Sequence, residues 1–328
     1  MIDRRLFLNG LVIFGAAGVG LVSRGHALDI AAMKPGEFFW DLDRAPAGPM
    51  VLIVSLPAQR LYVYRNGELV AVSTTSTGKP GHETPTGVFT ILQKDKDHHS
   101  SIYNNASMPY TERLTWSGVA LHAGNLPGYP TSHGCVHLPL AFAKDLFGIT
   151  PLGTPVIIAD SHSGPADVLH PGLLLPADAE SEAVAETIMT DGDTAAVPAG
   201  ASTATPAAVI ASAADGRIYV MENGTLTFDG PITVADGPPV GNTLYVMKAQ
   251  GTDGPPAWVA VRYETAAGSQ TPEAPSSDPL HRISADADVR QRLASLFVAG
   301  STLLVTEDPA HPGTRSDPGF VVATHDMV

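Results

Sequence analysis

A mainly β fold, β-rich α+β with few helices, is what this 328-residue chain predicts, and three observations carry the expectation. Leu61 and Val63 alternate with Tyr62 and Tyr64, Arg65-Asn66-Gly67-Glu68 reads as a tight hairpin turn, and Leu69-Val70-Ala71-Val72 returns as the partner strand. The same pattern comes back later, where Val209 to Gly224 aligns without gaps on Leu52 to Gly67 and shares Ser, Arg, Tyr, Val, Asn and Gly. The composition, 44% hydrophobic and 16% charged with 32 Gly and 28 Pro, fits a folded protein of one or two domains and excludes a coiled coil or a disordered chain.

The chain opens on a targeting pattern. Arg4-Arg5-Leu6-Phe7-Leu8 precedes an uncharged run from Gly10 to Val22, and Gly25-His26-Ala27 supplies small residues for a cleavage point. The apolar run is shorter than the roughly 20 residues a spanning helix needs, so no stable membrane span is expected after cleavage. The paired arginines with Phe7-Leu8 resemble a twin-arginine signal, although Asp3 stands where Ser or Thr is usual. Residues 1–27 are therefore expected to be a signal peptide and the address the periplasm. A formal net charge of -14 makes nucleic acid a poor partner.

One cysteine, Cys135, excludes an intramolecular disulfide framework and any cysteine-based zinc or iron–sulfur centre. An unpaired thiol in an exported protein is inert, intermolecular or kept for reaction, and its neighbours favour the last. Val119-Ala120-Leu121 reads as the end of a buried strand with His122 at its exit. A Gly/Pro/Asn loop then leads to Ser132-His133-Gly134-Cys135. A neighbouring imidazole makes such a thiol nucleophilic near neutral pH, and Gly134 lets backbone N–H groups turn toward a developing oxyanion. The pair His98-His99, in the polar run Lys94–Ser101, reads as surface, so no metal site and no cofactor are expected.

The segment Trp116–Pro139 resembles the catalytic signature of the L,D-transpeptidase (YkuD-type) family. Its companions are Met50–Leu56 and Gln59–Glu68 as the opening hairpin, Thr77-Gly78-Lys79-Pro80, and Thr84-Pro85-Thr86-Gly87-Val88-Phe89 as the turn and next strand. Phe142–Phe147 is similar to the family's closing helix and Gly153–Ile158 to its last strand. The resemblance covers about residues 49–160 and implies a β-sandwich-like catalytic domain. It makes Cys135 the nucleophile, His122 the general base and Ala123 the residue whose carbonyl orients that imidazole. Ser132 and His133 shape the loop, and the N–H groups of His133, Gly134 and Cys135 are the implied oxyanion donors. His137 stands where the family usually has Arg or Asn. It is expected at the substrate with Trp116, Tyr129, Thr84, Thr86 and Gly87, although the Thr-Pro-Thr-Gly stretch reads first as a scaffold for the site. The loop from His122 to Ser132 is short for the family, which implies an open cleft.

The implied activity is a transferase reaction on peptidoglycan stem peptides, forming 3-3 cross-links through a Cys135 thioester, in cell-wall biogenesis and cell shape. The same chemistry with water as acceptor gives an L,D-carboxypeptidase. With a protein amine it tethers a partner to the wall, and without turnover the module is a wall-binding scaffold. The expected layout continues from the signal with an extension at 28–48, the catalytic domain at 49–160 and an acidic Ala/Pro-rich linker at 161–206 with a short helix near 179–188. A degenerate, non-catalytic repeat follows at 207–308, then a tail at 309–328. In the repeat, Pro239-Val240-Gly241 echoes Pro85-Thr86-Gly87, Trp258–Val261 echoes Trp116–Val119, and Gly300–Val305 echoes Gly153–Ile158. Leu280 takes the place of the cysteine. A wall-anchored, divisome or elongation protein is the expected kind of partner for that second domain.

Overall fold

The computed structural model describes residues 29–100, 105–168, 206–222, 225–249, 257–266, 268–273, 278–294 and 296–314. The expected signal (1–27), the helix near 179–188 and most of the tail lie outside the described residues. Residues 1–32 and 33–328 are separate compact units. In the first, the described residues 29–32 hold a turn in which Ala32 N–H donates to the Asp29 carboxylate at 3.2 Å.

The second unit is built on three sheets. The first has the order β1 (Phe38–Trp40), β4 (Glu68–Thr74), β3 (Arg60–Arg65), β2 (Met50–Ser55), β10 (Pro155–Ala159), β5 (Gly87–Thr90). The expected hairpin turn joins β3 to β4 through Asn66 (φ 50) and Gly67 (φ 88), the two left-handed residues that a turn following the strand twist requires. At Gly67 a Cβ would also lie 2.8 Å from Val259, so close approach reinforces the choice of glycine. The expected extension at 28–48 is partly sheet, because Phe38–Trp40 pairs with β4 and sets Phe38 and Trp40 edge-on against Phe142.

Both faces of the first sheet are buried, which explains the unbroken apolar run of β2. Leu52, Val54, Leu61, Val63 and Phe89 face one core, shared with Leu121, Val136, Phe142 and Leu146. Val51, Ile53, Val88, Ile157 and Ala159 face another core on the opposite side. The first core is closed by helix α1 (Leu140–Ile149), which buries Phe142, Ala143 and Leu146. It is also closed by a four-stranded sheet of order β6 (Gln93–His99), β7 (Ser107–Arg113), β8 (Ala120–Ala123), β9 (Val136–Leu138).

The opposite core belongs to the second sheet, whose strands are β11 (Ser161–His162), β12 (Ala166–Val168), β13 (Ala208–Ser212), β14 (Arg217–Glu222), β15 (Thr225–Val234), β16 (Asn242–Met247), β17 (Trp258–Glu264), β18 (Ile283–Ala285) and β19 (Thr302–Thr306). Its Ile210, Tyr219, Met221, Leu244, Val261, Tyr263 and Leu304 pack on Ile53 and Ile157. Its other face is covered by α2 (Ala287–Ala294), which contributes Val289 and Leu293.

The pairing of the first sheet recurs in the second. β13, β14 and β15 form a meander, and β19 runs parallel to β13 and antiparallel to β16, as β2, β3 and β4 do with β10 and β5. Ile53 pairs with Ile157 as Ile210 pairs with Leu304, and the register shift after Val63 returns after Val220. The bridge between Ser76 and His137 has its counterpart in Thr233 with Ser284.

These pairings correct the sequence alignment at three places and the linker at one boundary. The residue one before β18, in the place that Cys135 takes before β9, is Arg282; Leu280 lies two residues earlier, in the core. Trp258 is buried in β17 beside β16, whereas Trp116 is half exposed in the turn between β7 and β8, so the two tryptophans are not equivalent. Gly241 falls two residues short of the position that pairs as Gly87 does, since Ile158 faces Gly87 and Val305 faces Thr243. Residues 161–168, expected as linker, form β11 and β12 against β17, where Lys248 holds Asp167 at 3.1 Å.

Candidate active site

Strand register sets the site. Arg113 pairs with Ala120, and Cys135 immediately precedes Val136, the partner of Leu121. Arg113, Ala120 and Cys135 thus form one row across β7, β8 and β9. Side chains alternate between faces along a strand, so the next row, Glu112, Leu121 and Val136, points inward to α1 and is buried. His122 and His137, paired in register, return to the face of Cys135. With strands about 4.8 Å apart and about 3.3 Å per residue, the Cα atoms of His122 and Cys135 are diagonal neighbours about 8 Å apart, a span two side chains can close.

The state of each group follows from its surroundings. His122 lies inside β8 rather than at its exit and is buried. Its Nδ1–H donates to Ala123 O at 2.8 Å, which leaves the Nε2 lone pair for the cleft. Burial, and secondarily His137, whose ring is 4.8 Å away, push its pKa down to about 4, so the imidazole is neutral at pH 7. Cys135 is half-buried, and its S–H points to Gly118 O at 3.5 Å. Burial raises the thiol above its usual range; the Ala120 N–H and the Arg113 charge act in the opposite direction. The resting pair is therefore a thiol and a neutral imidazole, not an ion pair.

The loop carrying Cys135 is held by a frame of buried polar groups. Ser132 Oγ donates to Cys135 O at 2.5 Å and accepts the Gly134 N–H at 3.1 Å. Gly134, implied as an oxyanion donor, thus already has its N–H engaged. Its φ of +110 is a conformation that side-chain-bearing residues avoid. Lys79 N–H donates to Ser132 O, and Thr131 and Ser132 N–H both donate to Thr77 O. Thr84 Oγ donates to Gly134 O at 3.0 Å and accepts the Gly78 N–H at 2.8 Å. At Gly78 a Cβ would sit 2.0 Å from His82 O, so this crossing admits glycine alone.

A cleft of about 500 Å³ opens over this face. Cys135, His122, Ala123, Ser132, His133, His137 and Trp116 line it. Thr84, Thr86, Gly87 and Tyr129, expected at the substrate, do not. Thr84 and Thr86 are buried, Gly87 is spent in β5, and Tyr129 is exposed elsewhere, giving its carbonyl to Ser76 Oγ. Of the polar run, residues 94–99 lie not in a loop but in β6, the outer strand of a hairpin walling the cleft; His99 is exposed as expected, whereas His98 lines the cleft and pairs with Asp95 at 3.0 Å. Sequence reasoning also missed Arg113, Met108 and Thr111 on β7. The hairpin is locked inward, where Lys94 donates to Phe147 O and Thr150 O at the end of α1 and lies 3.7 Å from Glu112, which accepts a bond from Thr150 Oγ1. Burial raises Glu112 to about 7. Among the described residues, no group of three or more His, Cys, Asp or Glu could hold a metal ion.

A thiol, a neutral imidazole with an oriented tautomer and an open groove are the parts of a cysteine acyl-transfer site. Comparison with known proteins places part of the chain. Residues 49–158 match the YkuD family, the L,D-transpeptidase catalytic domain. L,D-transpeptidase 1 of Mycobacterium tuberculosis is 32% identical over 123 residues, covering 33% of this chain and 49% of that protein. Probable L,D-transpeptidase 3 of the same organism is 26% identical over 147 residues, covering 40% and 52%. The chain thus spans about half the length of the curated relatives it matches. Similar solved structures include an L,D-transpeptidase from Stackebrandtia nassauensis, at 28% identity, 35% and 56% coverage and a TM-score of 0.32. L,D-transpeptidase 1 of M. tuberculosis, at 1.89 Å, aligns at 29% identity with 34% and 62% coverage and a TM-score of 0.30. The YkuD match ends before β11, so the second sheet lies outside it.

Proposed function

We propose that this protein is an exported L,D-transpeptidase that joins peptidoglycan stem peptides through a Cys135 thioester. The observation that carries the reading is the placement of Cys135 and His122 on one face of a parallel strand pair, with His122 Nε2 left unprotonated by the bond from Nδ1 to Ala123 O.

The mechanism follows from the neutral resting pair. As Cys135 Sγ attacks the carbonyl carbon of an L-to-D peptide bond, its proton passes to His122 Nε2, and the C–S bond forms while the carbonyl oxygen takes the negative charge. The backbone N–H groups of His133 and Cys135 stabilise that oxygen, the Gly134 N–H between them being held by Ser132 Oγ. The C–N bond then breaks, and the departing D-alanine amine takes the proton from His122. An amine of a second stem peptide attacks the thioester, gives its proton to His122 and releases the thiol, producing a 3-3 cross-link. The export motif of residues 1–27 agrees with a wall substrate and supports a periplasmic site reached by the twin-arginine route. No helix among the described residues is long and apolar enough to cross a membrane.

The second half fits the reading as a catalytically silent copy of the first. The recurrence of pairing, bulge and bridge supports duplication, and Arg282 where the nucleophile would stand supports silence. Its service is to cover the outer face of the first sheet.

The test is a carbapenem incubation of the purified protein followed by intact mass, with a single adduct expected on Cys135 and none on Cys135→Ala. Muropeptides from strains carrying either form should differ in 3-3 dimers. A difference in freed tripeptides alone makes water the acceptor, and a difference in wall-bound protein alone makes it a protein amine. An unmodified Cys135 with unchanged muropeptides would sink the transferase and leave a binding module.

A further inference from the structure

Among the described residues lining the cleft, Arg113 is the lone Lys, Arg, Asp or Glu; the other titrating groups are Cys135 and four histidines, His98, His122, His133 and His137. Burial lowers the pKa of His122 and His137, so neither supplies a lasting positive charge at neutral pH.

Arg113 is also held in place. Its Nε donates to Gln93 Oε1 on the paired strand at 3.0 Å, and its guanidinium lies 5.9 Å from the centre of the Trp116 ring. Neither contact neutralises it, and no acid among the described residues forms an ion pair with it. Asp95 feels its charge but bonds His98 instead. Among the described residues no acceptor is bonded to Nη1 or Nη2, the two groups with the geometry to grip a carboxylate. Among the described lining residues there is no acid, so the cation favours an anionic ligand there.

Position says which anion. Arg113 shares the row and face of Cys135 two strands away, so their Cα atoms are about 10 Å apart. Both side chains stand off the sheet on the cleft side, and a span of that size, less a contact at each end, suits about one amino-acid residue at about 3.8 Å per Cα step. We propose that Arg113 binds the C-terminal carboxylate of the residue that leaves the acyl donor, and so restricts the enzyme to donors ending one residue beyond the scissile carbonyl. The assignment rests on the acyl-transfer reading above, but its test does not require turnover.

The experiment uses the full chain with Cys135→Ala, which binds without reacting. A synthetic stem tetrapeptide ending in D-alanine is titrated by calorimetry as the free acid and as the C-terminal amide. The free acid should bind at least about tenfold more tightly than the amide, in keeping with a charged hydrogen bond. Arg113→Gln should weaken the acid about 10- to 100-fold and the amide less than about threefold, with Arg113→Lys in between. Equal weakening of both forms, or an acid affinity indifferent to Arg113→Gln, overturns the assignment. Acyl-enzyme formation by the Cys135 protein reads the reaction separately. Discrimination by Arg113 without an acyl-enzyme keeps the anchor and discards the transferase, and the reverse result does the opposite.

Discussion

Arg282 stands one residue before β18 as Cys135 stands one residue before β9, so a guanidinium fills the place of the thiol. It donates to Ala235 O at 2.7 Å and to Pro238 O, tying down the loop around Gly237. Arg282→Ala should lower Tm by about 2–4 °C, the effect of roughly 1 kcal/mol in a unit of this size, and leave the carbapenem rate at Cys135 unchanged. Calorimetry and adduct kinetics on the same preparation check both halves of the expectation.

His122 should act as a base far into acid. With its pKa at about 4, the acid limb of Cys135 acylation should lie well below the usual histidine midpoint, and His122→Ala should cost about 10²–10⁴ in rate. The same shift links to stability. Between about pH 6.5 and 4 the unfolded chain binds a proton that the native state refuses, so stability falls as pH falls through this window, by up to about 3 kcal/mol. Urea unfolding of the parent and His122→Gln, at pH 7 and pH 4.5, should show a smaller acid loss in the variant.

Glu112 has the opposite sign. Burial keeps its proton on until about pH 7 in the native state, whereas the unfolded chain releases it near 4.5, so this group's contribution declines as pH rises between those values. Glu112→Gln keeps a partner for Thr150 Oγ1 and removes the titration. Its urea midpoint should therefore be flatter than that of the parent from pH 5 to 7.5.

Gly134→Ala isolates backbone from contact. A Cβ there would meet nothing nearer than Glu83 O at 3.7 Å, yet φ is +110. The variant should fold and keep its Trp fluorescence while losing most Cys135 acylation, because the chain must leave the conformation that aims the thiol. Full activity with unchanged Tm would contradict this account of the loop.

Leu304→Ala reports on the contact between the two sheets. The side chain is 3% exposed and packs on the outer face of the first sheet, so a loss of about 2–5 kcal/mol is expected in urea titration. A chain ending at residue 168 bares Val51, Ile53 and Ile157 together, and light scattering should find it self-associated.

Sequence disclosed the hairpin and the chemistry where local rules are strict. Asn66-Gly67 admits one turn type, and an unpaired thiol after His-Gly is chemically conspicuous. It hid what depends on which way a strand faces. The run Lys94–Ser101 is polar enough to read as surface, yet in its strand part alternation sends Lys94 in to cap α1 and leaves His98 on the cleft. Arg113 is one cation among 19 until its row with Cys135 is known. Thr84 resembled a ligand contact because a buried hydroxyl bonded to Gly134 O leaves no local pattern. The tryptophans at 116 and 258 matched by letter while burial separates them.

The two sheets meet through Ile53 and Ile157 on one side and Ile210 and Leu304 on the other, positions that correspond in strand register. Such a contact, made between separate molecules, would obey mass action and come apart on dilution. Carried within one polypeptide, it stays closed at any concentration, so the shape of the groove beside Cys135 does not depend on how many copies a cell makes.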